Sequence, residues 1–141
     1  MKILVATDGS EHALRAVKYV AELIGQLREA SSVTLVSVHD DTGLRNAKAY
    51  VGSQEVADYL RELSDEELKP ARELLDLKGI KHDAEIRTGH VVQQIVDCAE
   101  EGKFDLIVLG AKGRGAFADL LMGSVAQRVL AIAKQPVILV K

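Results

Sequence analysis

The 141-residue chain has a net charge of −3, with 48% hydrophobic and 28% charged residues, a composition that indicates a globular protein and excludes a disordered one. No lysine and arginine run marks a nucleic-acid surface, and no apolar run approaches the roughly 20 residues of a membrane span. The single cysteine, Cys98, excludes an internal disulfide. With no leader pattern before the first strand, we expect one domain over residues 1–141, located in the cytoplasm, without nucleic-acid or membrane partners.

Strand-like and helix-like segments alternate along the chain. Residues 40–53 are polar and include glycines, which predicts a long loop, and Pro70 is expected to kink or split the helix that follows. Ser64 and Glu67 have the spacing of an internal capping box. Apolar patterning predicts strands at 2–7, 33–38, 80–87, 104–109 and 137–140, and helices at 11–27, 54–78, 91–101 and 124–134.

Alternating strands and helices predict a parallel sheet covered on both faces, a three-layer α/β/α sandwich. The third strand alternates apolar and charged residues from Ile80 to Arg87, which is typical of an edge strand. The other strands are almost continuously apolar, as expected for strands buried on both faces.

Two turns at strand ends contain the residue types of a ligand site. The first strand ends in Thr7-Asp8-Gly9-Ser10; Asp8 either contacts a ligand or caps the first helix, since Asp8 and Glu11 have capping-box spacing. The fourth strand ends at Gly110, followed by Gly113 and then by Gly123-Ser124 at a helix start. Glycines allow close approach of a ligand, and free N–H groups at a helix start favour phosphate.

The spacing G-x2-G-x9-G-S differs from both common nucleotide motifs. A P-loop requires Lys-Ser or Lys-Thr after its second glycine, but Ala116 follows Gly115. A dinucleotide fingerprint through Gly113 and Gly115 would lack the acidic residue about 20 positions later. A purely structural alternative remains open, because Ser124 with Gln127 also has the spacing of a capping box.

At these residues the chain resembles the ATP-binding branch of the universal stress protein family, and the resemblance covers essentially the whole chain. It implies a five-stranded parallel sheet in the order 3-2-1-4-5, with a Rossmann-like, adenine nucleotide alpha hydrolase-like architecture. It also implies an adenine nucleotide across the ends of strands one and four, with Asp8 at the adenine end. The implied nucleotide-binding residues are Ala6, Asp8, Val38, Leu109, Gly110, Gly113, Gly123, Ser124 and Val125, with Lys112 and Arg114 as further candidate phosphate contacts.

Other polar residues give weaker signals. His12 and His39 are expected near the strand ends, while His82 and His90 are expected at the surface; none has metal-ligand spacing. Asp40 and Asp41 either approach a phosphate-bound Mg²⁺ or cap a loop. Cys98 lies on an apolar helix face, which predicts a buried, inert thiol.

The functional hypothesis is an ATP-binding regulatory or protective module of the stress response, with Mg²⁺ accompanying ATP and no catalytic residues. Hydrolysis is expected to be slow or partner-dependent because no nucleophile and base pair is evident. The alternatives are an interaction module that binds no nucleotide, and a nucleotidyl or phosphoryl transferase. An apolar last strand at a sheet edge predicts a homodimer through residues 137–140, as the resemblance also implies. The polar segment 40–53 leaves the second strand on the ligand side of the sheet, so we expect it to form a mobile flap that orders over the bound nucleotide.

Overall fold

Five parallel strands form one sheet in the order β3-β2-β1-β4-β5 in the computed structural model. It describes residues 1–113 and 121–141, without the side chains of residues 44, 45, 47 and 48. The strands are β1 (Lys2–Ala6), β2 (Ser32–His39), β3 (His82–Thr88), β4 (Leu106–Gly110) and β5 (Val137–Val140). The helices are α1 (Glu11–Gln26), α2 (Thr42–Val51), α3 (Ser53–Leu77), α4 (Val91–Glu101) and α5 (Ser124–Ile132).

The predicted strand order and three-layer architecture are confirmed. β1 lies at the centre of the sheet, and its side chains enter two separate cores because successive residues point to opposite faces. Ile3 and Val5 pack towards α1 and α3, whereas Leu4 and Ala6 pack towards α4 and α5. Burial on both sides explains why β1 is apolar throughout.

The strand order places the loops after β1 and β4 side by side. The two strands are paired in register, with Val5 opposite Val108 and Ala6 opposite Leu109. The chain leaves β1 towards one face, through α1, and leaves β4 towards the other, through α5. A crevice therefore opens at the carboxyl ends of these strands, where ligands bind in folds of this class.

The long loop expected after the second strand is wrong, because most of it forms α2. The Asp40 carboxylate accepts a hydrogen bond from the Thr42 backbone N–H at 2.7 Å, which orders the chain immediately before the helix. Gly43 falls in the first turn, where a glycine interrupts no established helix. Among the described elements, α2 contacts α3.

The expectation that Pro70 splits the following helix is also wrong, since α3 continues through Pro70. Pro70 is exposed, so water can solvate the carbonyl that loses its intrahelical partner. Ser64 and Glu67 form no internal capping box, because both lie on the buried face inside the helix.

Two strands begin later than expected because their first residues terminate the preceding helix. Ile80 donates its backbone N–H to Leu75 O at 2.9 Å, and Phe104 donates to Ala99 O at 2.9 Å. Both helices end with a residue in the left-handed conformation, Gly79 at φ 67° and Lys103 at φ 51°, as is common at helix C-termini.

No helix within residues 1–113 or 121–141 combines the length and apolarity that crossing a bilayer would need.

Candidate functional site

The β1–α1 turn positions the Asp8 carboxylate at the mouth of the crevice. Asp8 Oδ1 accepts a hydrogen bond from the Ser10 backbone N–H at 2.9 Å, across Gly9, whose φ of 77° favours glycine. Ser10 is the N-cap of α1, and its hydroxyl accepts from Ala13 N at 3.2 Å. The Asp8–Glu11 capping box is therefore wrong: Asp8 stabilises the turn before the helix, and Ser10 caps it.

The glycines after β4 bring the second loop against this turn. A Cβ on Gly113 would lie 2.8 Å from Asp8 Oδ2, so the missing side chain allows the two loops to meet. A Cβ on Gly110 would lie 2.7 Å from the His12 carbonyl carbon, so Gly110 lets β4 approach the α1 backbone closely. The two glycines thus have different roles: Gly113 opens the site beside Asp8, and Gly110 permits packing at its edge.

The start of α5 completes the crevice. Gly123, rather than Ser124, is the N-cap, with φ −72° and ψ 160° and no side-chain cap. Its N–H donates to Ala111 O at 2.6 Å, which joins the helix start to the β4 loop. The Gln127 amide donates to Met122 O, so the Ser124–Gln127 capping box is wrong and the exposed Ser124 side chain does not cap the helix.

These three segments enclose a cavity of about 280 Å³, close to the lower end of the roughly 300–1,000 Å³ typical of small-molecule sites. Every candidate nucleotide-binding residue that was named from the sequence and is described in the structure lines this cavity. They are Ala6, Asp8, Val38, Leu109, Gly110, Lys112, Gly113, Gly123, Ser124 and Val125. Arg114 lies outside the described residues.

Six further residues line the cavity without having been identified as site residues from the sequence: Thr7, Ala13, Val36, Val91, Ile95 and Ala126. Two signals could have identified part of this set. Val36 lies two positions before Val38 and so faces the same side of β2. Val91 and Ile95 lie one turn apart on α4, on the face that packs against the sheet.

The cavity is therefore divided chemically. One end is an apolar chamber formed by β2 and α4, with Val36, Val38 and Ile95. The other end contains residues that follow β4, among them Lys112 and Gly113, and the first turn of α5. Asp8 follows β1, which lies between β2 and β4 in the sheet. An apolar end beside free helix N–H groups suits a ligand that combines a flat apolar ring with an anionic group.

The other polar candidates lie elsewhere. Asp41 lines a different cavity, and neither Asp40 nor Asp41 is among the described residues of the first one. Among residues 1–113 and 121–141, no three His, Cys, Asp or Glu side chains form a group that could hold a metal ion. His90 is exposed as expected, but the His82 side chain is only 10% exposed and bonds to Ile80 O, so its surface placement is wrong.

Comparison with known proteins identifies the family. The Universal stress protein family model matches residues 1–141. A universal stress protein of Thermus aquaticus, named for its position in the QAH/OAS sulfhydrylase 3′ region, is 35% identical over 140 residues, covering 99% of this chain and 97% of the relative.

Two solved structures show the same fold. That of MJ0577, from Methanocaldococcus jannaschii, has a TM-score of 0.84 at 29% identity and covers 99% of this chain and 94% of its own. That of a universal stress protein from Archaeoglobus fulgidus in complex with dAMP has a TM-score of 0.69 at 26% identity and covers 100% of this chain and 98% of its own. The chain therefore belongs to the universal stress protein family.

Proposed function

We propose that this protein binds ATP in the cavity between β1, β4 and α5 and acts as a nucleotide-responsive regulatory or protective module in the stress response. The observation that carries the proposal is the division of this one cavity into an apolar chamber and a glycine-lined helix start. An adenine ring and a phosphate chain require these two environments in one continuous space.

The contacts suggest how the nucleotide lies. Adenine fits between Val38 and Ile95, because both side chains line the apolar end. Asp8 lies against Gly113, where a carboxylate can accept hydrogen bonds from an amino or hydroxyl group but would repel a phosphate. The triphosphate therefore extends away from Asp8, towards Ser124 and the first turn of α5.

The family relationship supports an adenine nucleotide as the ligand class. The Archaeoglobus fulgidus relative was solved with dAMP, which carries the same base as ATP. The choice of ATP over a monophosphate rests on the resemblance to the ATP-binding branch of the family, whose glycine spacing is matched by Gly110, Gly113 and Gly123. Mg²⁺ would then reach the protein with the triphosphate and be held mainly by phosphate oxygens and water.

Binding rather than catalysis is the proposed activity. The described lining includes one carboxylate, Asp8, and one amine, Lys112. Asp8 already accepts the Ser10 N–H through one oxygen, an orienting contact that stabilises the turn. Any hydrolysis would thus be slow or depend on a partner. Turnover of ATP to ADP that falls sharply in Asp8→Asn would replace this proposal with a hydrolase.

The test compares calorimetric titrations of wild type, Ser124→Ala and Gly123→Val with Mg-ATP, alongside thermal melts. Ser124→Ala removes one hydroxyl contact worth about 1 kcal/mol, so affinity should fall roughly five- to tenfold. Its melting temperature should stay unchanged, because Ser124 does not cap α5.

Gly123→Val should weaken binding by at least about tenfold. The φ of −72° accepts any residue, but a Cβ there already lies 3.4 Å from Ala111 O and Lys112 Cα. The valine methyl groups would therefore crowd the loop and narrow the cavity. Gly25→Ala is the matched control, since a Cβ on Gly25 meets nothing within 4 Å.

Parallel titrations with ADP, AMP and GTP define the ligand. Tighter binding of AMP than of ATP would move the proposal to a monophosphate. An absence of binding at millimolar nucleotide would support the interaction-module alternative, in which the same fold acts without a nucleotide.

A further inference from the structure

A second cavity, of about 330 Å³, lies on the other face of the sheet from the nucleotide cavity. It is formed by the first two turns of α3 and the end of β3, with Asp41 at the junction before α2. β2 separates the two cavities: Val36 and Val38 face the first, while α3 packs on the opposite core. None of the described residues lines both.

The apolar part of this second cavity comes from Leu60 and Ile86. Leu60 is buried, at 8% exposure, but Ile86 remains 37% exposed although it lies on a strand beneath a helix. The incomplete coverage of Ile86 results from the gap between α3 and β3. A bound molecule with an apolar body would remove this surface from water.

The polar part of the cavity includes one guanidinium, that of Arg61, and two hydroxyl residues. Arg61 forms no ion pair within the described residues, in contrast to Arg15, which pairs with Glu11, and Arg87, which pairs with Glu85 and Glu101. The hydroxyl residues Ser53 and Thr88 line the same cavity as Arg61. A guanidinium flanked by hydroxyl groups recognises planar oxyanions.

Asp41 narrows the choice of anion. Its carboxylate also lines the cavity, so a doubly charged phosphate would meet stronger repulsion than a singly charged carboxylate. We propose that the cavity between α3 and β3 is a second ligand site, which binds a small carboxylate with an apolar body. The carboxylate contacts Arg61, and the apolar body packs on Ile86 and Leu60.

The test is a titration of the ¹⁵N-labelled protein with phenylacetate, followed by backbone NMR shifts. Saturable shifts are expected at Ala57, Leu60, Ile86 and Thr88, and they should persist in saturating Mg-ATP because the cavities are separate. Arg61→Gln should weaken binding at least about tenfold, and Ile86→Thr should weaken it several-fold while keeping a β-branched side chain. Arg28→Gln, an exposed arginine of the segment between α1 and β2, is the matched control and should bind like wild type.

Two further probes separate the contributions of charge and shape. Benzyl alcohol, which has the ring without the carboxylate, should bind more weakly than phenylacetate, and so should phenyl phosphate. The proposal is overturned by an absence of saturable shifts up to roughly 10 mM phenylacetate, by equal affinity in Arg61→Gln, or by shifts confined to Val36 and Val38. Tighter binding of phenyl phosphate would overturn the choice of a carboxylate.

Discussion

At the scale of single residues, the three glycines of the motif that follows β4 have different physical roles. Gly113 lies beside the Asp8 carboxylate, and Gly123 caps α5 while its N–H bonds to Ala111 O. Gly110 instead lies against the backbone of His12. Only the first two can affect a ligand without first disturbing the packing of α1 against β4.

We expect Gly110→Ala to destabilise the protein. Its Cβ would lie 2.7 Å from a backbone carbon and 2.8 Å from a backbone oxygen of His12, so α1 would have to shift. Overpacking of this kind costs about 1–3 kcal/mol, which corresponds to a fall of several degrees in melting temperature. Thermal melts measure it, with Gly25→Ala as control. A Gly110→Ala protein that melts like wild type would show that α1 adjusts freely.

Cys98 is expected to be chemically inert in the folded protein. Burial, together with the nearby Glu85 carboxylate, raises the pKa of its thiol to about 11, although Arg87 opposes the shift. The thiolate, which is the reactive form, is therefore scarce at neutral pH. A disulfide reagent at pH 7.5 should label native protein far more slowly than denatured protein. Fast, stoichiometric labelling of the native state would contradict this.

The same shift in pKa predicts a loss of stability in alkali. The unfolded thiol releases its proton near pH 9.0 and the folded thiol near pH 11, so within this window the native state holds more protons than the unfolded state. The free energy of unfolding therefore falls as pH rises through this window. Denaturant melts of wild type and Cys98→Ala should differ in this slope, because the variant lacks this titrating group.

At the scale of secondary-structure elements, α2 is the clearest departure from the sequence prediction. The segment was expected to be a polar flap over the nucleotide. It forms a helix that packs on α3, and none of its described residues lines the nucleotide cavity. Bound nucleotide should instead protect from hydrogen exchange the elements whose backbones form the cavity. These are the β1–α1 turn and the first turn of α5.

Hydrogen exchange with and without Mg-ATP tests this assignment. Exchange should slow at residues 8–13 and 123–127, because a ligand at the α5 N-terminus engages amides that otherwise exchange with water. Residues 42–51 should exchange at nearly the same rate in both states. Protection confined to α2 would restore the flap hypothesis and place the nucleotide elsewhere.

At the scale of the whole molecule, β5 leaves one edge of the sheet unpaired. Its four residues are all apolar and all partly exposed in the single chain, and β5 pairs only with β4 within the described residues. The last residue of α5, Ile132, is 49% exposed, and α5 contacts β5. Unpaired apolar edges promote association with another chain.

We therefore expect a two-fold homodimer in which the β5 strands of two chains meet antiparallel. Sedimentation velocity should show a dimer at tens of micromolar protein. Ile132→Glu should shift the equilibrium towards monomer, whereas Leu77→Glu, at an exposed position at the end of α3, should not. A single monomeric species for wild type at all concentrations would refute the prediction.

Much of the fold and site follows from local patterns in the sequence. The alternation of apolar strands with amphipathic helices determined the layered architecture, since each element must bury its apolar face. The charged alternation in β3 indicated an edge strand, and the glycine spacing after β4 identified the loop that lines the cavity. These features depend on residues close together in the chain, which is why they can be predicted without coordinates.

Tertiary structure decided the features that depend on contacts between distant residues. Ser10 rather than Asp8 caps α1, and Gly123 rather than Ser124 caps α5, because the exact helix start depends on how each turn packs. The role of Gly110 depends on His12, nearly a hundred positions earlier in the chain, and α2 is a helix that packs on α3. That Arg61 and Ile86 line the same cavity likewise could not be predicted from the sequence. Only the packing of α3 against β3 brings this cation and this partly exposed apolar side chain together.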